Sequence, residues 1–392
     1  FKQSSGGTKV WNEERVLSLV DARAPEGLTL EYKKRLPDRS DRDRAEFLKD
    51  VSAMANASGG SIVFGISEEA GSAASLSGME IDNADVEIRM LAQILDSGIE
   101  PRLAGVCFSH LRLADGQVLA LDVPESFDSP HRYSFNGHSK FVTGNGSHVS
   151  ELSFDQLRAA FDRSSTRIER LRARWNEEVS LSRLWKPIIP GPVCVVRLSP
   201  VISADERQVI DPKFAYEHWD QLIFSGWGGG NAAFNYQGLA VYAGRGEESL
   251  FGYVQVHRTG ALTAYRTARL TVDKRKLIPS TTVGDFVLAA TKKLTRFSLL
   301  SGIRGSAILN IGLQRLRGYE FGAGDRYGFD DGTVDPGIDE VQMPEVWIED
   351  LEAVPETPDT LLRPGYDLLW QSYGWAECPL FDSDGHWSTD RS

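Results

Sequence analysis

The chain has 392 residues, of which 41% are apolar, 10% aromatic and 25% charged, a globular composition that excludes a collagen-like, disordered or disulfide-scaffold chain. Its length exceeds what one hydrophobic core usually organises, so two domains are expected. With 43 basic and 55 acidic side chains the net charge is −12, which repels polyanions at long range and excludes a simple basic DNA-coating protein.

Cys107, Cys194 and Cys378 are odd in number and far apart. They imply neither a disulfide framework nor a paired-cysteine metal knuckle, and the expected compartment is reducing, the cytoplasm. The longest apolar runs, at 62–66 and 193–196, are strand-sized, so no membrane partner is expected.

In chain order, the pattern predicts a short helix over 12–20, with Asn12, Glu13 and Glu14 as its capped first turn. Leu28, Leu30 and Tyr32 then alternate with Thr29, Glu31 and Lys33, the two-residue repeat of a half-buried strand with Glu31 and Lys33 on its solvated face. Residues 38–43 read as a charged loop, and 45–57 carry Phe47, Leu48, Val51, Met54 and Ala55 at helical spacing before an Asn-Ala-Ser-Gly-Gly stop. A β-branched run at 61–66 reads as a buried strand. A helix over 85–95, strands near 105–111, 118–123 and 140–142, and a helix begun by Ser153 with Leu157, Ala160 and Phe161 inward complete an α/β domain over 12–165.

Residues 166–186 read as a solvated helical connector with dense charge around Leu171 and Trp175. After three prolines, 187–392 reads as an α+β domain. Its expected strands are 193–198, 239–242, 251–257, 262–270 and 307–313, and its main helix is 282–300. Residues 343–351 are expected as an edge strand and 355–370 as a helix broken at Pro364-Gly365. The fold class is α/β to α+β, in two domains.

Several chemistries are excluded by spacing. No Lys-Ser/Thr follows Gly59-Gly60, as a phosphate-cradling loop requires. The glycine-rich loop around Trp227 precedes a strand rather than a helix, so it is no nucleotide fingerprint, and Trp227 is expected to pack. The seven histidines show no HxH or HxxxH pair, and Gly305-Ser306 lacks the frame of a nucleophile elbow.

The densest cluster of chemistry-bearing residues is Glu26, Glu31, Lys33 and the ISEE run ending at Glu69. The LEYK strand (30–33), the DVSAMANASGG turn (50–60) and the IVFGISE strand (62–68) resemble the Schlafen AlbA-type domain, whose pattern runs ES-x-x-LEFK, AFANT-x-GG and a VGV-D-D strand end. The Pro130-His131 pair and the GNGS turn at 144–147 are similar to later parts of the same domain. In the second region FNYQGL (234–239) and GYVQVHRTG (252–260) are similar to the partner half of bacterial proteins carrying it, often described as ATP-binding or DNA-binding.

The resemblance implies a metal-dependent endoribonuclease that cleaves structured RNA such as tRNA, in bacterial anti-phage defence. Carried over position by position, Glu26, Glu31 and Glu68 would hold Mg²⁺ or Mn²⁺, a hard cation wanting oxygen ligands, and with Lys33 would form the catalytic set. Lys34, Arg35, Arg39, Arg42 and Arg44 would hold phosphates, with Arg132 and Lys140 as a second contact area. The family also implies a homo-oligomer, a dimer or larger. Three positions depart from the pattern: Gly27 replaces a serine, Glu68 an aspartate, and Gly144 stands where relatives often carry arginine. Two alternatives stay open. The carboxylate face serves a non-catalytic nucleic-acid-binding or regulatory module, or the basic run is a balanced surface, because Asp38, Asp41, Asp43 and Glu46 interleave with it.

Overall fold

The computed structural model describes residues 11–38, 40–145, 148–243, 249–267, 270–272, 275–322 and 337–388. They divide into two compact units, one reaching to Thr166 and one beginning at Arg167.

The first unit contains α1 (Glu13–Asp21), β1 (Leu30–Lys33), α2 (Asp41–Ala55), β2 (Gly60–Phe64), β3 (Ile66–Glu69), β4 (Ser72–Leu76), α3 (Ala84–Gly98) and β5 (Ile99–Glu100). It continues with β6 (Cys107–Leu113), β7 (Gly116–Val123), β8 (Arg132–Phe135), β9 (His138–Asn145), β10 (His148–Glu151) and the start of α4 (Phe154–Val179). Its central sheet has the order β1-β2-β7-β6, with β1 and β2 parallel and the other pairs antiparallel. A second sheet, β10-β9-β8-β5, carries the later hairpins.

Both faces of the central sheet are covered. Ile62, Phe64, Leu119 and Leu121 pack against Phe47, Leu48 and Val51 of α2 and Leu91 and Leu95 of α3. Tyr32, Val63, Val118 and Ala120 pack against Val16 of α1 and Ala73 of β4. Strand alternation therefore sends Glu31 and Lys33 toward α2 rather than into open solvent, which corrects the solvated face expected for them. Leu28, expected inward, precedes the strand and is 46% exposed.

Two more boundaries move for local reasons. The expected charged loop at 38–43 is cut short because the Ser40 side chain accepts the Asp43 N–H and caps α2. Asp41 and Asp43 in the first turn then offset the positive end of the helix dipole. The β-branched run expected as one strand breaks at Gly65, whose φ of +102° suits glycine and where a Cβ would meet the Gln117 carbonyl at 2.5 Å. Gly146 and Ser147 of the expected turn lie outside the described residues. Phe161 rests edge-on against Phe141 at 6.1 Å but stays 49% exposed, so of the three residues expected inward Ala160 is the buried one.

The second unit takes the rest of α4, then β11 (Val193–Pro200), α5 (Pro212–Glu217), β12 (Asn231–Asn235), β13 (Gly238–Tyr242), β14 (Gly252–His257), β15 (Leu262–Thr267), β16 (Leu270–Val272) and β17 (Arg275–Pro279). It ends with α6 (Ser280–Leu300), β18 (Ala307–Gln314), β19 (Glu320–Gly322), β20 (Glu340–Gln342), β21 (Val346–Ile348) and α7 (Asp359–Gln371). One large sheet runs β12-β13-β14-β15-β11-β18-β20, with β21 also on β18. Its one face is covered by α6 and α7, through Phe286, Leu294, Tyr366 and Trp370. Trp175 and Val179 of α4 pack on the other.

The solvated connector expected at 166–186 is therefore corrected: α4 is continuous, and Leu171, Trp175 and Glu178 are buried in the second unit. Glu178 forms an ion pair with the buried Arg197 at 3.2 Å and accepts a hydrogen bond from the Tyr265 hydroxyl. Of the edge strand expected over 343–351, Val346–Ile348 form β21 on β18, and Glu340–Gln342 just before that range form β20 on the same strand. Helix α7 runs through Pro364 instead of breaking there, held by the buried Leu362, Tyr366, Leu369 and Trp370. Trp227 is buried beside Phe224.

Candidate active site

Strand β1 ends its sheet, so among the described residues one of its edges carries no neighbouring strand. On that edge the Tyr32 N–H donates to Glu26 Oε1 at 2.8 Å, and the Glu26 N–H donates to the Gly71 carbonyl at 2.8 Å, which fixes Glu26 against the β3–β4 turn. The β3–β4 register shifts between Ser67 and Glu68. The shift leaves Ala74 of β4 unpaired opposite Ser67 and Glu68, and the Glu68 carboxyl stands close enough to that of Glu26 to act on its ionisation.

Burial is the main force pushing the Glu26 carboxyl up to about 7; the Tyr32 amide opposes it, and the hydrogen bond and charge of Glu68, then the charge of Glu31, add to it. Two carboxyls in contact share a proton until a positive charge relieves them. A hard divalent cation is held by one or two carboxylates plus water and phosphate oxygens. Glu26 and Glu68 fit that donor set.

Glu31 is held differently. Its carboxylate lies 2.6 Å from the Lys33 ammonium, which also lies 3.1 Å from Asp50 and 3.6 Å from Glu46 of α2. Burial works against the Lys33 charge, but Asp50 and then Glu31 outweigh it and hold the ammonium above the ordinary lysine range. Asp50 is 4% exposed. Its carboxyl is pushed up to about 6 by burial and then by Glu31, with Lys33 and Lys49 opposing. The three expected ligands thus divide into a Glu26–Glu68 pair and a neighbouring Glu31–Lys33–Asp50 chain, and among the described residues no three acidic, histidine or cysteine side chains are grouped to hold one ion.

The expected phosphate contacts are largely paired. Arg35 lies 2.7 Å from Asp43, Arg132 Nε donates to Glu100 at 2.9 Å, and Lys140 lies 3.0 Å from Glu151. Lys34 and Arg42 are exposed, and among the described residues they form no ion pair. Arg44 is half-buried with an Nε that finds no hydrogen-bond partner. Arg39 lies outside the described residues.

Two positions beside the candidate site had no role in the sequence reading. Asp50 interrupts the apolar stripe Phe47, Val51, Met54 of α2, and a carboxylate on a buried stripe is the signal that would have found it. Asn56, read as a helix stop, also pins the β8–β9 hairpin. Its Nδ2 donates to the carbonyls of His131 and Val142 at 2.7 and 2.9 Å, and its Oδ1 accepts the His131 N–H at 2.7 Å. This gives the Pro130-His131 pair of the sequence a structural role.

Residues 26–153 match the family model Schlafen, AlbA_2. The first unit is a Schlafen AlbA_2 domain, which points to nucleic-acid-related function. Comparison with the curated proteins gave no match. Among solved structures, the DIP2311 protein from Corynebacterium diphtheriae is similar at 17% identity, with 38% of this chain and 29% of that chain covered and a TM-score of 0.26. The aligned part is under a third of that protein's length. Among the described residues, no helix is long and apolar enough to cross a membrane.

Proposed function

We propose that the first unit is a metal-dependent endoribonuclease acting on structured RNA such as tRNA. The observation that carries this reading is the Glu26–Glu68 pair, two carboxyls forced together beside the Glu31–Lys33–Asp50 chain within the segment that matches the Schlafen, AlbA_2 model. Like charges brought together at a cost to the fold are what a cation-binding centre needs. Mg²⁺ or Mn²⁺, when bound there, supplies polarisation of a phosphodiester and a bound water of lowered pKa.

The chain's own groups do the rest. Glu26 and Glu68 present carboxyl oxygens to the cation. Glu31 fixes the Lys33 ammonium beside them, and Lys33 is the cation nearest to where a scissile phosphate would sit, a place where a fixed positive charge stabilises developing negative charge. Lys34 and Arg42 supply unpaired charge for flanking phosphates.

A second reading, a nucleic-acid-binding or regulatory module without catalysis, is favoured by the neutralisation of Glu31 by Lys33 at 2.6 Å. One experiment separates them. The full chain is incubated with tRNA and Mn²⁺, alongside Glu31→Ala. The nuclease reading expects cleavage that requires the metal and falls at least about a hundredfold in the variant, on the order of 3 kcal/mol of transition-state stabilisation. Retention of tRNA without cleavage favours the binding module.

A further inference from the structure

Between β1, its following loop and α2 lies a cleft of about 200 Å³. This is smaller than the roughly 300–1,000 Å³ of sites for drug-sized ligands, and of a size for one planar ring system. Its walls are apolar, from Leu36 and Pro37 on the loop, Phe47 on α2, and Ile62 and Phe64 on β2. Lys33 and Asp50 line it as well, and Lys34 and Arg35 stand at it from the loop.

The polar groups of the cleft are unevenly satisfied. Asp50 is 4% exposed, and its Oδ2 makes no hydrogen bond of good geometry although the Lys33 ammonium lies 3.1 Å away. The Lys33 ammonium is thus the partner that answers this buried oxygen, and an acceptor buried without one is costly. Glu46, 48% exposed at the side chain, adds a second carboxylate nearer to solvent. Ionised carboxylates accept hydrogen bonds and donate none.

We infer that this cleft takes a guanine base from the RNA strand whose phosphate meets Lys33. The inference rests on the nuclease reading for the identity of the strand. Single-stranded RNA is read by splaying a base out of the stack, seating it against apolar or aromatic groups and hydrogen-bonding its Watson–Crick edge. Guanine alone presents adjacent donors there, N1–H and the N2 amino group, and these match an acceptor-only floor. Adenine places the N1 lone pair, and cytosine the N3 lone pair, against the same oxygens, which is repulsive. As the Lys33 ammonium turns from Asp50 toward the incoming phosphate, Oδ2 is left to accept from the base. Lys33 thereby couples the base pocket to the Glu31 side of the candidate active site.

The test measures binding of the full chain, without divalent metal, to GMP, AMP and the trinucleotides UGU and UAU by calorimetry. The inference expects GMP to bind about tenfold more tightly than AMP, the cost of leaving the polar floor unpaired. It expects UGU to exceed UAU by a similar factor and to bind more tightly than GMP. Asp50→Asn, which replaces an acceptor by a donor, should abolish the preference, and Glu46→Gln, on the surface, should reduce it several-fold without risk to folding. Equal affinity for GMP and AMP, or a preference unchanged in both variants, overturns the guanine pocket. Tighter binding of GMP than of UGU overturns RNA as the source. Cleavage of tRNA without guanine preference sinks the pocket and leaves the nuclease reading intact, whereas guanine preference without metal-dependent cleavage does the reverse.

Discussion

His131 is fully buried, yet both ring nitrogens are engaged, Nδ1 with the Pro101 carbonyl at 2.7 Å and Nε2 with the Ser126 hydroxyl at 2.6 Å. A carbonyl only accepts, so Nδ1 carries the proton and Nε2 takes the serine hydroxyl, which is the neutral imidazole. Burial pushes its pKa down to about 4, with the Pro101 carbonyl opposing. Between about 6.5 and 4 the unfolded chain binds a proton that the folded chain refuses. The stabilisation is therefore present above about 6.5 and is lost as pH falls toward 4, by up to about 3 kcal/mol. Urea midpoints at pH 7.5 and 4.5 check this: wild type should lose stability on acidification, and His131→Gln, weaker at pH 7.5, should lose distinctly less. Equal acid sensitivity of the two would contradict the role. At this scale the sequence was partly legible. Glu26, Glu31, Lys33 and Glu68 stand in recognisable patterns, but nothing in spacing reports that Glu68 comes to act on Glu26 or that Asp50 of α2 answers Lys33.

Strand β1 and helix α2 show how far elements could be read. Their existence follows from a two-residue and a 3.6-residue periodicity, while the side each presents depends on what covers it. Period-two alternation is the same whether the polar face meets water or a helix carrying Asp50, so only the tertiary structure tells that Glu31 and Lys33 face α2. Likewise α7 crosses Pro364 because the burial of Tyr366, Leu369 and Trp370 outweighs one missing helical hydrogen bond. Asn56 works at this scale too, joining the end of α2 to the β8–β9 hairpin through three hydrogen bonds. Asn56→Ala strands the His131 N–H and removes a donor from the Val142 carbonyl, while the His131 carbonyl keeps the Ser52 hydroxyl, for a loss on the order of 2 kcal/mol. Amide exchange should quicken over 132–145 more than over β2 and β7; uniform quickening would assign Asn56 a merely global role.

For the whole molecule, the described residues form two units with separate cores. The net charge of −12 gains meaning from pairing. Arg35, Arg132 and Lys140 are each answered by a carboxylate, and Lys34 and Arg42 are the exposed basic residues of the expected rim without an ion pair among the described residues. Two or three phosphate contacts give a slope of log affinity against log salt of about −2 to −3 on duplex DNA. Titration of a 20-base-pair duplex over a range of salt concentrations checks this, and a slope of −6 or steeper would show a basic surface that the paired charges deny. Any recognition of a polyanion then falls to a few placed groups rather than to a coating of charge.

Glu26 has a second consequence. Its side chain occupies the one open edge of β1 by accepting the Tyr32 N–H. An unguarded strand edge invites another chain to add a strand and so begin aggregation, and here the guard is the same carboxyl that would bind the cation. On the proposed reading one residue would serve both cation binding and protection against sticky association, and a chain without catalysis would still have reason to keep this acid.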